Sequence, residues 1–490
     1  MLSCVISVVL VGAEPRRVDV EVFVGGGGPH FQIVGLPDTA VREAKQRVMA
    51  AIKASGWSFP GRRVIVNLAP ADVPKGGSAY DLPIALGVLV ASTAVPKGAG
   101  NVVALGELAL NGQVRSVRGG LGAALVAERI GLRCLLPPDS AAEAGALGGM
   151  SSVTAVRHLR EAVEVALGQG DGAPIPELAA PPGLVADLGE VRGQALARRA
   201  LEIAAAGGHH VLMTGPPGGG KTMMARCLPG ILPRLAGPDV GETALTWAAA
   251  GMARPDPTLA PFRSPHHSAS LAALIGGGSG IPVPGEIALA HHGVLFLDEL
   301  GEFPVGHLNA LRQPMEEGHV VVARKGASVR FDTAFQLVAA TNPCPCGYEG
   351  DRIRQCSCPP GALAKYQRRL SGPLIDRFDI VVRVPRVEAA EMAGARGEAS
   401  ADVAHRVAAA RKRQMARGRR NARLRRADLD LLAWDEPVAG MLEQAMRRSA
   451  LTARGWDRVR RVAATIADLN ESEVILGSHV AEALAYRGQR

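Results

Sequence analysis

Aromatic residues are scarce in this chain of 490 residues: Phe, Tyr and Trp together make up 3% of it. That scarcity argues against loops that grip a partner through rings. No uncharged apolar run reaches the roughly 20 residues that span a bilayer, so no membrane partner is expected. The apolar start Leu2 to Ala13 has no basic residues before it, unlike a secretory signal, and passes into the alternation Val18-Asp19-Val20-Glu21-Val22. It is read as the start of a β-hairpin. Cysteine is also sparse, seven residues with four of them clustered, which does not make a secreted disulfide framework and points to the cytoplasm. No repeat of solenoid period is present.

What is present suffices for two to four domains, since 47% of the residues are hydrophobic. Lys and Arg exceed Asp and Glu by 55 to 46, and the resulting charge of +9 permits a polyanionic partner without requiring one. Residues 1–168 alternate strand-like runs with apolar helices and form a mixed α/β domain. Residues 169–186 are a Gly/Pro linker. Residues 187–385 form a second α/β unit, 386–430 a basic connector, and 431–490 a helical C-terminal region. The connector holds a run from Arg411 to Arg426 that reads equally as a solvated helix and as a grip on nucleic acid.

Residues 215–222 are Gly215-Pro216-Pro217-Gly218-Gly219-Gly220-Lys221-Thr222, directly after the apolar run His210 to Thr214. A buried strand, a glycine loop and an immediate helix start place backbone N–H groups and the helix's positive end around phosphates. Further on, Gly293 to Leu297 is apolar and ends in Asp298-Glu299. Beside a phosphate loop, Asp298 with Thr222 would hold Mg²⁺ and Glu299 would polarise the attacking water; adjacent strand residues point to opposite faces, so their roles differ. The run Phe335 to Thr341 ends in Asn342, an amide suited to orienting that water or sensing the γ-phosphate. Arg377 interrupts the apolar stretch Leu374 to Phe378 and has the chemistry that stabilises charge on a transferring phosphoryl group.

These residues in this order resemble the AAA+ ATPases of the helix-2-insert group, which includes magnesium chelatase ATPase subunits and MCM helicases. The segments Pro261 to His267, Leu274 to Gly278, Pro284 to His291 and Ala340 to Gly347 are similar to signatures of the ComM (YifB) subfamily. The resemblance implies an AAA+ α/β domain with a helix-2 insert and an α-helical lid. It also implies a homo-oligomeric ring, a hexamer by family habit, with ATP between subunits. By the same resemblance Arg377 is the finger reaching a neighbour's site and Arg454 the lid arginine. The insert, about Arg254 to His292, would add a hairpin.

A second hairpin is expected from Val320 to Phe331, with Arg324 and Lys325 at its tip. In the family such a hairpin faces the pore, where these two residues would grip a DNA backbone. Metal binding at His266-His267 or His291-His292 is not expected, because neighbouring histidines do not easily face one ion. Cys344, Cys346, Cys356 and Cys358 form two CxC pairs suited to a structural Zn²⁺, with free or redox-active thiols as the alternative. Cys4, Cys134 and Cys227 are expected in cores.

The first domain resembles the Lon-protease (S5 domain 2-like) fold, in which Ser78 would be the nucleophile. The family's lysine follows Gly-Gly-Leu, and here Gly119-Gly120-Leu121 is followed by Gly122, so no protease is expected. The leading reading is a Mg·ATP-driven translocase or helicase acting on single-stranded or branched DNA, as ComM does in natural transformation. The alternative is a chelatase-type ATPase driving metal insertion or protein remodelling through a partner.

Overall fold

β1 (Leu2–Val11) and β2 (Glu14–Gly25) form the expected first hairpin, antiparallel with Leu2 opposite Phe23 and Val11 opposite Glu14. Along β2 the valines 18, 20, 22 and 24 are buried while Arg17, Asp19, Glu21 and Phe23 take the other face, the two-residue period of a sheet covered on one side. With β3 (His30–Val34), β4 (Arg63–Ala69) and β5 (Val102–Ala104) they build a mixed sheet. β6 (Glu107–Leu108) and β7 (Val114–Arg115) make a small separate ladder. β8 (Arg133–Leu136) and β9 (Val153–Ala155) complete the large sheet in the order β3-β4-β2-β1-β5-β8-β9. Helix Asp81–Ala91 is buried along its whole length against the valine face, which explains why it is apolar all round. Cys134 and Cys227 are buried, but Cys4 is exposed: it lies with Leu2 on the face of β1 opposite buried Ser3 and Val5.

This computed structural model describes residues 1–145, 152–177, 185–254, 256–278, 281–324, 327–351, 353–370, 374–449 and 452–487. The middle of the linker therefore lies outside the described residues. Among them, no helix is long and apolar enough to cross a membrane.

The second sheet is parallel throughout, in the order β11-β14-β17-β10-β18. Its strands are β10 (Val211–Thr214), β11 (Phe262–Arg263), β14 (Val294–Leu297), β17 (Gln336–Thr341) and β18 (Ile380–Arg383). Between β11 and β14 the insert contributes the short hairpin β12 (Gly276–Gly277) and β13 (Val283–Pro284). Helices cover both faces, so the strands are continuous apolar runs. Val211, Met213 and Phe296 face one layer, and Leu212, Leu295 and Leu297 face the other.

The expected connector is instead part of the core. Helix Ser400–Ala416 places Val403, Val407 and Ala410 in the same cluster as Val211, Val459 and Val480, so the C-terminal helices share one interior with the sheet. Its basic run is largely spent within the chain. Arg417 pairs with Asp468 at 2.6 Å, Arg426 with Asp457 at 3.3 Å, Arg419 with Asp428 at 3.3 Å and Arg413 with Glu471 at 3.5 Å, while Arg411 donates to the Ala205 carbonyl.

β15 (His319–Arg324) and β16 (Ala327–Asp332) form the second hairpin. Its inner residues Val320, Val322, Val329 and Phe331 pack with Ile275 and Ile281 of the insert and with Val11 of the first domain. Gly12, at the β1–β2 turn, has φ +64° and lies so close to Val329 that no Cβ fits between them.

Candidate nucleotide site

β10 delivers the chain to Gly215, which abuts the Val384 carbonyl too closely for any side chain. Gly218 and Gly220 have φ of +79° and +85°, a conformation glycine adopts without steric cost. Helix Lys221–Ile231 starts at once. Lys221 is only 9% exposed and its Nζ turns into its own loop, donating to the carbonyls of Gly215 (2.6 Å) and Pro216 (2.9 Å) and to Asn342 Oδ1 (3.3 Å). Burial lowers its pKa, against the opposing pull of Asp298 and Glu299. The ammonium thus sits where an incoming phosphate would replace the carbonyls as its partner.

Thr222 Oγ1 donates to Asp298 Oδ2 at 2.7 Å. A hydroxyl and a carboxylate side by side are the oxygen set that Mg²⁺ takes next to nucleotide phosphates. The expectation that Asp298 and Glu299 alternate along a strand is corrected: β14 ends at Leu297, and Glu299 turns into the left-handed region with φ +53°. That turn leaves the Glu299 side chain 56% exposed with Oε2 3.3 Å from His267 Nδ1. His267 belongs to one of the histidine pairs, and sequence reasoning had missed this role.

Asn342 follows β17 and meets Lys221 as described. Arg377, in the turn Ile375–Arg377, pairs with Glu316, and Arg454 is exposed in the first turn of helix Ala453–Leu469. Two residues beyond Arg377, buried Asp379 lies 3.3 Å from His209 Nδ1 and 3.6 Å from Arg458 Nε. Burial alone would raise its pKa, but the His209 hydrogen bond and the neighbouring positive charges hold it at about 2. Asp379 therefore ties the arginine turn to the C-terminal helices. Another residue that sequence reasoning missed is Gln194, buried with φ +53°, whose amide donates to the carbonyls of Gly219 (3.4 Å) and Pro385 (2.6 Å) and so braces the phosphate loop. Its position just before helix Ala195–Gly207 was the available signal.

The four clustered cysteines converge. Cys344 Sγ lies 3.3 Å from Cys346 Sγ and 3.6 Å from Cys356 Sγ, Cys346 and Cys356 are 3.6 Å apart, and the Cys346 N–H donates to Cys358 Sγ. A hydrogen bond from the Tyr348 backbone pulls the Cys346 thiol down to about 6. The knuckle rests on the nucleotide loop: a Cβ on Gly347 would fall 2.7 Å from Pro217 Cδ.

His291 and His292 do face one atom, Glu242 Oε2, at 3.2 and 3.0 Å, because His292 adopts φ +57°. Neighbouring histidines are not expected to meet easily in this way. The geometry is nevertheless poor for a metal, since His291 Nδ1 accepts the Ala334 N–H and its proton must sit on Nε2, the atom aimed at Glu242.

On the hairpin tip Arg324 is exposed, its guanidinium near Gly277 and donating to the Ala323 carbonyl; Lys325 lies outside the described residues. In the first domain Ser78 donates its hydroxyl to Glu107, and buried Lys75 donates to the Pro70 carbonyl. A Cβ on Gly122 would fall 2.8 Å from Leu10 Cδ2 and 3.0 Å from Pro15 Cβ, so a lysine there would have to displace Leu10.

Comparison with known proteins agrees with this architecture. Residues 187–392 match the family described as magnesium chelatase, subunit ChlI, residues 20–141 match subunit ChlI of Mg-chelatase, and residues 397–487 match its C-terminal region. The chain is 42% identical over 492 residues to YifB of Salmonella typhimurium, covering 97% of this chain and 95% of that protein. It is 40% identical over 503 residues to the competence protein ComM of Haemophilus influenzae, covering 99% and 97%. A shorter similarity, 24% over 173 residues, links it to a probable DNA helicase MCM9 of Oryza sativa, covering 35% and 21%. With a phosphate loop, a carboxylate pair and near full-length identity of this order, the chain belongs to the magnesium chelatase ChlI-related family, in its ComM/YifB branch.

Proposed function

We propose that this chain is an ATP-hydrolysing motor that assembles into a homo-oligomeric ring, taken as a hexamer, and acts on DNA. The observation that carries the ATPase reading is the convergence of Lys221, Thr222, Asp298 and Asn342 at the carboxyl ends of three adjacent parallel strands, where ligands bind in such sheets. Lys221 and the loop N–H groups bind the phosphates, Thr222 and Asp298 hold Mg²⁺, Glu299 takes the proton of the attacking water, and Asn342 orients that water. Bound Mg²⁺ would neutralise charge building up between the β- and γ-phosphate oxygens. Arg377 and Arg454 act on a neighbour's nucleotide, a role supported by the family resemblance.

DNA as the partner is supported by the competence protein among the relatives and by Arg324 at an exposed tip. ATPase activity is expected to rise several-fold with forked DNA and to lose that stimulation steeply between about 50 and 200 mM salt, as counterion release requires. Arg324→Ala should cut the stimulation and leave basal hydrolysis unchanged. ATPase indifferent to DNA but raised by a partner protein would favour the chelatase-type reading instead.

The cysteine knuckle is proposed to hold a structural Zn²⁺. Tetrahedral thiolates with Zn–S of about 2.3 Å stand about 3.8 Å apart, close to the 3.3–3.6 Å observed here. Metal analysis of the purified protein should find about one equivalent of zinc, and Cys356→Ser should lose it and lower Tm; less than about half an equivalent sinks the assignment. The first domain is read as a Lon-like fold without proteolysis, supported by glycine at position 122 and by the engagement of Lys75 and Ser78 elsewhere.

A further inference from the structure

Tyr366 belongs to helix Pro360–Leu370, which begins two residues after the last cysteine of the knuckle. The ring is 8% exposed. Its hydroxyl donates to the Asn342 carbonyl at 3.1 Å and lies 3.1 Å from Thr341 Oγ1, which itself sits 3.2 Å from the same carbonyl. On its other side the ring fills the space left by a missing side chain: a Cβ on Gly301 would fall 2.5 Å from the hydroxyl. Gly301 lies two residues after Glu299, in the 3₁₀ turn Leu300–Glu302. One tyrosine therefore touches both the end of the β17 strand and the turn that carries the carboxylates.

The chain between Asn342 and Tyr366 is a closed circuit. It leaves the sheet at Asn342, passes through the four cysteines, rests Gly347 on Pro217 of the phosphate loop, turns into the helix and returns to Asn342 through the tyrosine hydroxyl. Without that last bond the Asn342 carbonyl still has Thr341 as a donor, so the backbone stays satisfied while its position is less restricted.

We propose that Tyr366 is a positioning residue for ATP hydrolysis: its hydroxyl fixes Asn342 relative to the Glu299 turn, and it acts through Asn342 without touching the nucleotide. This rests on the reading of Asn342 as the residue that orients the attacking water.

The test is a double-mutant cycle of Tyr366→Phe and Asn342→Ala in the full-length ring, measuring kcat, KM and nucleotide Kd for each protein. Tyr366→Phe keeps the ring against Gly301 and removes only the hydroxyl. It is expected to lower kcat about five- to tenfold, the range of one neutral hydrogen bond, with KM and Kd within about twofold. In the Asn342→Ala background the same change should have little further effect. An unchanged kcat, a parallel fall in kcat and nucleotide affinity, or a loss that persists in full in the Asn342→Ala background would overturn the proposal. If Asn342→Ala itself hydrolyses normally, the orienting role fails and takes this proposal with it. An impaired Asn342→Ala beside a normal Tyr366→Phe removes Tyr366 alone.

Discussion

Glu299→Gln is expected to bind ATP as tightly as the parent protein and to hydrolyse it at least about a hundredfold more slowly. A positioned general base contributes roughly 10² to 10⁴ in rate, and the amide cannot accept the proton of the attacking water. Binding should survive because, among the described residues, Glu299 makes no hydrogen bond or ion pair with the proposed phosphate loop and acts on Lys221 only through its charge. Its carboxylate projects from the left-handed turn after β14, half exposed and opposite His267, while Lys221 and Thr222 keep their own partners. Single-turnover hydrolysis and equilibrium binding of a fluorescent ATP analogue separate the two properties. Hydrolysis within about threefold of the parent rate would remove Glu299 from its role.

Lys221→Ala should act on the other property. Charge-assisted hydrogen bonds contribute about 1.5–3 kcal/mol each, so losing two to phosphate oxygens corresponds to at least about a hundredfold in Kd. The ammonium is already desolvated and bonded to the Gly215 and Pro216 carbonyls, so phosphate binding exchanges those neutral acceptors for charged oxygens instead of drawing the group out of water. Calorimetric titration with ATP and Mg²⁺ measures the change. Nucleotide affinity within about fivefold of the parent would mean that the loop binds something else.

The places of Lys221, Thr222, Asp298 and Asn342 could be read from the chain because the first two open the helix after a glycine loop and the others follow apolar strands, and parallel strands bring such ends to one edge. Residues whose meaning depends on distant partners could not. Nothing around Arg411 to Arg426 shows that Asp457, Asp468 and Glu471 will meet these arginines, so the segment read as a connector rather than a packed helix. The two histidine pairs looked alike, yet in one His267 meets Glu299 while His266 bonds Ser268, and in the other both rings meet Glu242, with Glu299 and His292 each in the left-handed region. Tyr366 and Gly301 are unremarkable letters until the fold puts one into the space of the other.

The docking of Val11 and Gly12 against the hairpin has a mechanical consequence. In a motor of the proposed kind the hairpin would be the part that travels with the cargo, yet its inner face also touches the first domain through Val11 and Gly12. Each stroke must then either swing the whole β1–β2 arm along with the tip or peel apolar side chains into water once per cycle. In the first case the amino-terminal domain is a viscous load on the working part; in the second it is a spring that stores part of each stroke. Either way the domain that resembles a protease would set the compliance of the machine.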